Sequence, residues 1–304
     1  MRSVRPNEVF AKAQAKLASL ILKRIDLNTS TAVLEKLIRY EAVHRIHGWR
    51  DLHRRLEGDR RCYAFFDPIL PDEPIIFIEA ALVKGMSARV QPLIDPDAAI
   101  YPVESADSAI FYSITKCQEG LRGVPFGGFL INQVLGRLRA ELPRVKLFAT
   151  LSPVPAFLPW LRQVADHAGR AGGGPLIRAL LKKLEQPKWI ADDEIQKELR
   201  LSLVPLCAHY LLFVRKGAEP LDPVERFHLR NGARLERINW LADTSPTGVD
   251  RSATIMANYI YCPAPLERNH ELYVRNLKVI ASSKVRGLAE SCFLAPRDNR
   301  AFGA

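Results

Sequence analysis

The feature that most constrains the fold is a glycine-rich segment, residues 118–138, which follows a largely apolar run at residues 109–114. The run is short and nearly continuous in apolar residues, which is typical of a buried strand. After the glycines, apolar residues recur at every fourth position from Phe126 to Leu138, so they share one face of a helix. The segment therefore predicts a strand, a glycine-rich turn and a helix in succession.

A turn of this kind directs backbone N–H groups and a helix N-terminus towards one point, which is how many proteins hold a phosphate group. Pro125 suits the first turn of the helix, because its missing N–H costs no intrahelical hydrogen bond there. The same residues would also make a tight connection that binds nothing. Taken alone, they leave the two interpretations equally open.

Composition indicates a folded protein and limits its surroundings. The chain has 304 residues, of which 48% are hydrophobic and 25% charged, as expected for a globular and soluble protein. No apolar run approaches the roughly twenty residues that a membrane span requires. The first residues lack the hydrophobic core of a signal peptide. We therefore expect a cytoplasmic protein that makes no membrane contact.

The cysteines and the charge say more about what the protein binds. The five cysteines are far apart and include no C-x-x-C pair, so we expect core thiols rather than disulfides or a zinc site.

The net charge of +11 favours a nucleic acid or a polyanionic small molecule such as coenzyme A as a binding partner. Only residues 54–61 form a dense basic patch, and no aromatic residues alternate with basic ones, so nucleic acid is the weaker candidate. Solvated helix faces would also account for the charge.

The order of predicted elements indicates the fold class. Helices are predicted at 7–25, from N-cap candidates at 28–31 to 47, at 49–56, over most of 156–216 and at 266–288. Strands are predicted at 62–66, 75–83, 109–114, 146–151, 234–241 and 258–262. Helices followed by strands with crossover helices predict an α+β fold of α/β type. The apolar faces of the first helices need a cover, which we expect from the following sheet or from a second copy of the chain.

Two side chains are candidates for chemistry. Ser152 ends a predicted strand, where α/β folds often place catalytic hydroxyls, although it is not in a G-x-S-x-G turn. His228 precedes an Asn-Gly turn and a predicted strand, where an imidazole can act as a general acid or base. From these local patterns alone, a role as a turn residue is favoured for both. Of the other histidines, we expect His44, His47, His53, His167 and His270 at the surface and His209 in a core or an interface.

Several segments together resemble the malonyl-CoA decarboxylase family. They are residues 35–44, 109–114, 118–131, 150–155, 227–233, 237–243 and 258–261, and they occur in the family's order over nearly the whole chain. The resemblance implies a GNAT acyltransferase-like mixed sheet flanked by helices. Residues 59–304 would form the catalytic domain, with a helical insertion at about 156–220. Residues 1–58 would be a shortened remnant of the family's N-terminal helical domain, which takes part in oligomerisation. The family resemblance implies a homo-oligomer, whereas the shortening leaves the oligomeric state open.

The resemblance also implies a site and an activity. The acyl-CoA loop would consist of Arg122, Gly123, Val124, Pro125, Phe126, Gly127 and Gly128. Ser152 and His228 fall on the family's catalytic serine and histidine, and Asn239 and Tyr261 are weaker supporting candidates. The implied reaction converts malonyl-CoA to acetyl-CoA and CO₂ through a thioester enolate. It needs no metal and no organic cofactor, because the thioester carbonyl accepts the electrons.

Two residues depart from the family pattern, and two other functions stay open. Pro125 stands where serine or glutamate is expected, and Ala156 where glycine is expected. One alternative is a GNAT-type acyltransferase that passes its acyl group to an amine or a carrier protein. The other is a non-catalytic remnant that binds coenzyme A. The sequence also leaves open the choice between malonyl-CoA and methylmalonyl-CoA.

Overall fold

The computed structural model describes residues 19–118, 127–166, 173–262 and 265–294, with only the backbone described at 127–130. The chain divides into two compact units, Met1–Thr150 and Leu151–Ala304. This division lies inside the region predicted as one catalytic domain, and the domain boundary near residue 58 stays a prediction. Within the described residues, no helix has both the length and the apolar character needed to cross a membrane.

The first unit contains a mixed sheet whose strands follow one another in chain order. They are β1 (Ile21–Ile25), β2 (Arg60–Asp67), β3 (Leu70–Val83), β4 (Ser108–Lys116) and β5 (Leu147–Thr150). The first four pair antiparallel, whereas β4 and β5 pair parallel with Ser108 opposite Leu147. A parallel pair needs a crossover connection. Helix α4 (Gly127–Glu141) lies in that connection, as the strand, turn and helix pattern predicts.

Three shorter helices precede α4, and two of them cover the sheet. They are α1 (Thr31–Tyr40), α2 (Trp49–Arg55) and α3 (Gln91–Ile94), with a 3₁₀ turn at Val103–Ser105. Helix α1 buries Val33, Leu34 and Leu37 in one apolar cluster with Phe66 and Phe77 of the sheet. The predicted cover for the first helices is therefore the following sheet.

The N-terminal part differs from the prediction at two places. Ile21–Ile25, predicted as the end of a helix, is strand β1 and pairs with β2. Pairing with the buried β2 outweighs the local helical periodicity. Helix α1 ends at Tyr40, short of His47, because the Glu41 carboxylate accepts hydrogen bonds from the N–H groups of Val43 and His44 and turns the chain there. This turn buries His44, which was predicted at the surface.

The dense basic patch at 54–61 is not a surface for polyanions. All four of its arginines are buried, and each forms an ion pair: Arg54 with Asp59 (2.7 Å), Arg55 with Asp51 (2.8 Å) and Glu79 (3.2 Å), Arg60 with Asp59 (2.7 Å), and Arg61 with Glu141 (2.7 Å). A buried charge is tolerated only when it is paired and hydrogen-bonded. The patch is therefore part of the interior of the first unit.

The second unit is mostly helical around a small antiparallel sheet. Its helices are α5 (Phe157–Asp166), α6 (Gly174–Leu184), α7 (Asp193–Phe213), α8 (Pro223–Arg230), α9 (Pro246–Ser252), α10 (Leu266–Asn276) and α11 (Ser283–Glu290), with a 3₁₀ turn at Trp189–Ala191. Strands β7 (Arg215–Lys216) and β8 (Glu219–Pro220) form a hairpin. Strand β10 (Met256–Ile260) pairs on one side with β6 (Ser152–Pro153) and on the other with β9 (Arg234–Asn239). Helices therefore fill most of the region predicted as a helical insertion, whose place within one catalytic domain stays a prediction.

The final helix, predicted as one element, is two. Helix α10 ends at Asn276, and the φ of 51° at the following Leu277 lies in the left-handed region. Ala281 then forms a bridge with Leu235 of β9. This bridge ties the connection to the sheet, so the chain leaves the helical path before α11 begins.

Of the cysteines, Cys62, Cys207 and Cys292 are buried and Cys117 and Cys262 partly buried, all as free thiols, which agrees with the prediction.

Candidate active site

Three side chains that are far apart in sequence form one hydrogen-bonded chain inside the second unit. The Ser152 Oγ lies 2.8 Å from His228 Nε2, and the Tyr261 hydroxyl lies 2.8 Å from His228 Nδ1. All three residues are buried, with His228 only 2% exposed. The fold thus brings together Ser152, His228 and Tyr261, three of the residues singled out from the sequence.

Each of the three is held by a different element. Ser152 lies on β6 opposite Ala257 of β10, and Tyr261 directly follows β10. His228 lies in the last turn of α8, not in the turn or strand edge that the sequence indicated. The signal for this helix was present as Asp222 followed by Pro223, an N-cap residue before proline at the first helical position.

The end of α8 is fixed by Gly232. Its φ of +75° is in the left-handed region, and a Cβ at this position would lie 2.2 Å from the Leu266 carbonyl oxygen. Only glycine fits such a conformation and such a close approach without displacing the backbone. The Asn-Gly pair that suggested a turn at His228 therefore ends the helix that carries the histidine.

Aromatic rings pack against the His228 imidazole. The Tyr259 ring stacks on it at a centroid distance of 4.5 Å and an interplanar angle of 25°, and Phe227 and Tyr261 meet it edge-on. This packing leaves the imidazole little freedom to rotate. Tyr259 was not among the sequence candidates, although two tyrosines at 259 and 261 have the two-residue spacing of one strand face.

Burial sets the charge of these groups. Removal from water lowers the pKa of His228 to about 3 and raises the pKa of the Tyr261 hydroxyl well above its ordinary value, so both are neutral at pH 7. A neutral imidazole donates a hydrogen bond at one nitrogen and accepts one at the other. If Tyr261 donates to Nδ1, then Nε2–H donates to Ser152, and the serine hydroxyl donates its own proton to a different acceptor. The opposite tautomer would direct the serine proton to the histidine.

His228 is expected to stay neutral in the free protein between roughly pH 5 and pH 8. Because its folded pKa is about 3, below the unfolded value, its neutral form contributes stability that is present above the unfolded pKa and is lost as the pH falls through the folded pKa. The ¹⁵N shifts of the imidazole, followed through this range, measure the charge directly, with the exposed His53 as a reference for a solvent-accessible ring. A protonation step of His228 near neutral pH would contradict this expectation.

A second buried group of polar residues lies at the start of α8. The Asp222 carboxylate caps the helix by accepting from the N–H groups of Val224 (2.9 Å) and Glu225 (3.1 Å). Desolvation raises the pKa of Asp222 to about 6 and that of Glu225 well above its ordinary value. No sequence prediction pointed to either residue.

Asn239 is not part of the hydrogen-bonded chain, and most of the predicted acyl-CoA loop lies outside the described residues. In the sheet, Asn239 lies opposite Met256 and Ser152 lies opposite Ala257. Because neighbouring residues of a strand face opposite sides of the sheet, the Asn239 side chain faces away from Ser152. Asn239 instead donates to Asn258 Oδ1 at 2.8 Å. In the predicted acyl-CoA loop, Gly127 and Gly128 form the start of α4, and residues 122–126 lie outside the described residues.

The fold and the site together define an α+β protein with a buried neutral histidine hydrogen-bonded to a serine and a tyrosine. The sequence profile described as "Malonyl-CoA decarboxylase C-terminal domain" matches residues 18–299. The chain therefore belongs to the malonyl-CoA decarboxylase family, which confirms the resemblance seen in its sequence.

Individual relatives agree with this assignment. The chain is 35% identical over 287 residues to the mitochondrial malonyl-CoA decarboxylase of Anser anser anser and 32% identical over 289 residues to that of Mus musculus. These matches cover 88% of this chain but 57% and 59% of the relatives, so the chain spans less than two thirds of their length.

Solved structures show the same similarity. A crystal structure of malonyl-CoA decarboxylase from Rhodopseudomonas palustris is 42% identical, with a TM-score of 0.85, and one from Agrobacterium vitis is 41% identical, with a TM-score of 0.87. Each match covers 92% of this chain and 69% of the solved chain.

Proposed function

We propose that this chain decarboxylates malonyl-CoA to acetyl-CoA and CO₂. The observation that carries the proposal is the buried chain of Ser152, His228 and Tyr261 in a member of this family. The relatives and the solved structures named above are malonyl-CoA decarboxylases, which supports the same substrate here.

The reaction makes three demands on a site. The bond to the leaving carboxylate must lie out of the thioester plane, so that its electrons can move to the carbonyl as CO₂ departs. The enolate oxygen needs hydrogen-bond donors, because negative charge develops there. The enolate carbon must finally receive a proton from a positioned acid.

His228 can supply that proton in the bound state. The free imidazole is neutral because it is buried, and a malonyl carboxylate brought close to it would raise its pKa, since an opposite charge favours the protonated form. The ring then takes up the one proton that the reaction consumes. When CO₂ has left, the proton passes through the Ser152 hydroxyl to the enolate carbon, and the imidazole returns to its neutral form.

In this proposal Ser152 acts as a hydrogen-bonding and relay group, not as a nucleophile. Decarboxylation needs no acyl-enzyme, because the thioester carbonyl already accepts the electron pair. Tyr261 would select the tautomer: its hydroxyl oxygen accepts from Nδ1–H, so the Nε2 lone pair, 2.8 Å from the serine oxygen, takes up the proton and later returns it.

Further parts of the proposal come from the sequence. Residues 122–128 would hold the phosphates of coenzyme A with backbone N–H groups. The chemistry would need no metal and no organic cofactor, and neither a nucleic acid nor a membrane would take part. We further propose a cytoplasmic homo-oligomer that acts in malonate or fatty acid metabolism.

Replacing Ser152 with alanine is expected to lower kcat about a hundredfold, because one positioned hydrogen-bond donor is lost at the reacting group. The assay follows acetyl-CoA formation from malonyl-CoA by the purified protein, with methylmalonyl-CoA in parallel for substrate choice. Ser291→Ala, which changes an exposed serine of the same unit, is the matched control.

The same assay separates the candidate functions. Turnover by the parent that Ser152→Ala leaves unchanged would refute the role given to this serine. Coenzyme A binding without turnover would favour the non-catalytic alternative. Acyl transfer to an added amine, with no loss of CO₂, would favour the acyltransferase.

A further inference from the structure

The Asp222 carboxylate joins three segments of the second unit. Besides the two N–H groups at the start of α8, it accepts long hydrogen bonds from the Ala156 N–H (3.4 Å) and the Tyr210 hydroxyl (3.4 Å). Ala156 lies in the turn before α5, and Tyr210 lies on α7. With an exposure of 1%, Asp222 is enclosed by these donors.

Two of the joined segments carry the catalytic candidates. His228 is in the last turn of α8, and Asp222 caps the first turn of the same helix. Ser152 lies four residues before Ala156, in the short strand β6, which pairs with β10 through only Ser152 and Pro153. Asp222 therefore links the helix that holds the histidine to the turn that follows the serine.

Capping alone does not explain a buried carboxylate at this place. Asp192 caps α7 from an exposed position by accepting from the N–H groups of Glu194 and Ile195, and Ser245 and Ser282 cap their helices with hydroxyls. Burying a charge costs free energy unless several hydrogen bonds stabilise it. Since a serine can cap a helix, the second carboxylate oxygen, which contacts Ala156 and Tyr210, needs another explanation.

The neighbouring acid makes Asp222 the charged member of a pair. Glu225 is fully buried, and neither of its carboxyl oxygens has a hydrogen-bond partner among the described residues. Burial together with the nearby Asp222 raises the pKa of Glu225 well above its ordinary value, so Glu225 is neutral. The negative charge of the pair near neutral pH lies on the carboxylate that holds the four donors.

We propose that Asp222 is a positioning residue that sets the distance and alignment of the Ser152 Oγ and the His228 Nε2. The inference rests on the proposed function for its catalytic consequence. It rests on the four hydrogen bonds for its structural part. The Oδ1 atom of Asp222 fixes the start of α8, and the Oδ2 atom fixes the turn that follows Ser152.

Asp222→Ser tests the second oxygen, because the serine hydroxyl can still cap α8. We expect kcat to fall between roughly tenfold and a hundredfold with KM changed less than about threefold, since small misplacements of reacting groups have effects of this size. The matched control is Asp192→Ala, which removes a helix cap and should lower Tm by roughly 2–4 °C without changing kcat. If Asp222→Ser does not fold, Asp222→Asn is measured against the same criteria, because its side chain keeps one cap oxygen and the original size.

A second readout does not depend on turnover. The ¹⁵N shifts of the His228 imidazole should change in the Asp222 variant and stay at parent values in Asp192→Ala. If the parent shows no decarboxylation, the proposed function fails, while these shifts still decide the structural part of the inference. Parent values of kcat and of the imidazole shifts in the Asp222 variant would overturn it.

Discussion

Replacing His228 with alanine is expected to lower kcat for malonyl-CoA decarboxylation by about a thousandfold, within the range known for the loss of a general acid. The proposed mechanism assigns both proton uptake and proton delivery to this imidazole, and the Ser152 hydroxyl would lose its partner at 2.8 Å. KM should change much less, because in the proposed binding mode the coenzyme A moiety, and not the imidazole, would anchor the substrate. Steady-state kinetics of acetyl-CoA formation measure both constants.

Two further variants make this result specific. His228→Gln keeps a hydrogen-bonding side chain of similar reach but cannot carry a proton at neutral pH, so its kcat should stay close to that of the alanine variant. His53→Ala changes an exposed histidine of the first unit and should leave kcat at the parent value. Near-normal turnover by His228→Gln would show that the ring acts by hydrogen bonding and not by proton transfer.

Replacing Arg55 with alanine is expected to lower the free energy of unfolding by about 3–5 kcal/mol, because the buried Asp51 carboxylate loses its counterion and the Glu79 carboxyl group loses its donor. The Arg55 guanidinium is 1% exposed and lies 2.8 Å from Asp51 and 3.2 Å from Glu79. Glu79 is fully buried, and its other carboxyl oxygen has no hydrogen-bond partner among the described residues. Urea denaturation of the parent and the variant measures the difference.

The pH dependence of this loss has a definite sign. Desolvation raises the pKa of Glu79 to about 8 even with Arg55 present, so the folded protein binds this proton more tightly than the unfolded chain does. Glu79 therefore contributes stability at low pH that is lost as the pH rises through about 8. Without the guanidinium the pKa should rise further, so the variant should be closer to the parent at acidic pH than at alkaline pH.

The control for this prediction is an ion pair at the surface. Arg50 pairs with Asp97, and both side chains are mostly exposed, at 74% and 66%. Arg50→Ala should change the free energy of unfolding by less than about 1 kcal/mol, because solvent screens exposed pairs. Equal losses in the two variants would contradict the account of the arginines as an interior network.

Local patterns in the sequence predicted much of the fold. The strands at 62–66, 75–83, 109–114 and 146–151, the crossover helix and the helical region after residue 156 all appear, with shifted ends. Apolar runs, glycines and prolines act within a few residues, so a single sequence contains enough information to place such elements. The family resemblance likewise followed from several short segments read in order.

Other elements depended on contacts that no short segment reveals. Ile21–Ile25 is a strand because it pairs with residues about forty positions later, although its own pattern also fits a helix. The four arginines at 54–61 looked like a basic surface, and their acidic partners reach as far as Glu141. A charge pattern gives no direction for a side chain, so only packing could show that these charges point inward.

The site shows the same division between sequence and structure. The sequence by itself determined that Ser152, His228 and Tyr261 are candidate site residues. Only the tertiary structure decided that His228 lies on a helix and that Tyr261 contacts its Nδ1 atom, while Asn239 faces the other side of the sheet. It also showed that Asp222 joins helix α8 to the turn that follows Ser152. The physical reason is separation: the two hydrogen bonds of His228 connect residues 76 and 33 positions apart, and the register of β10 and the packing of α8 set their geometry.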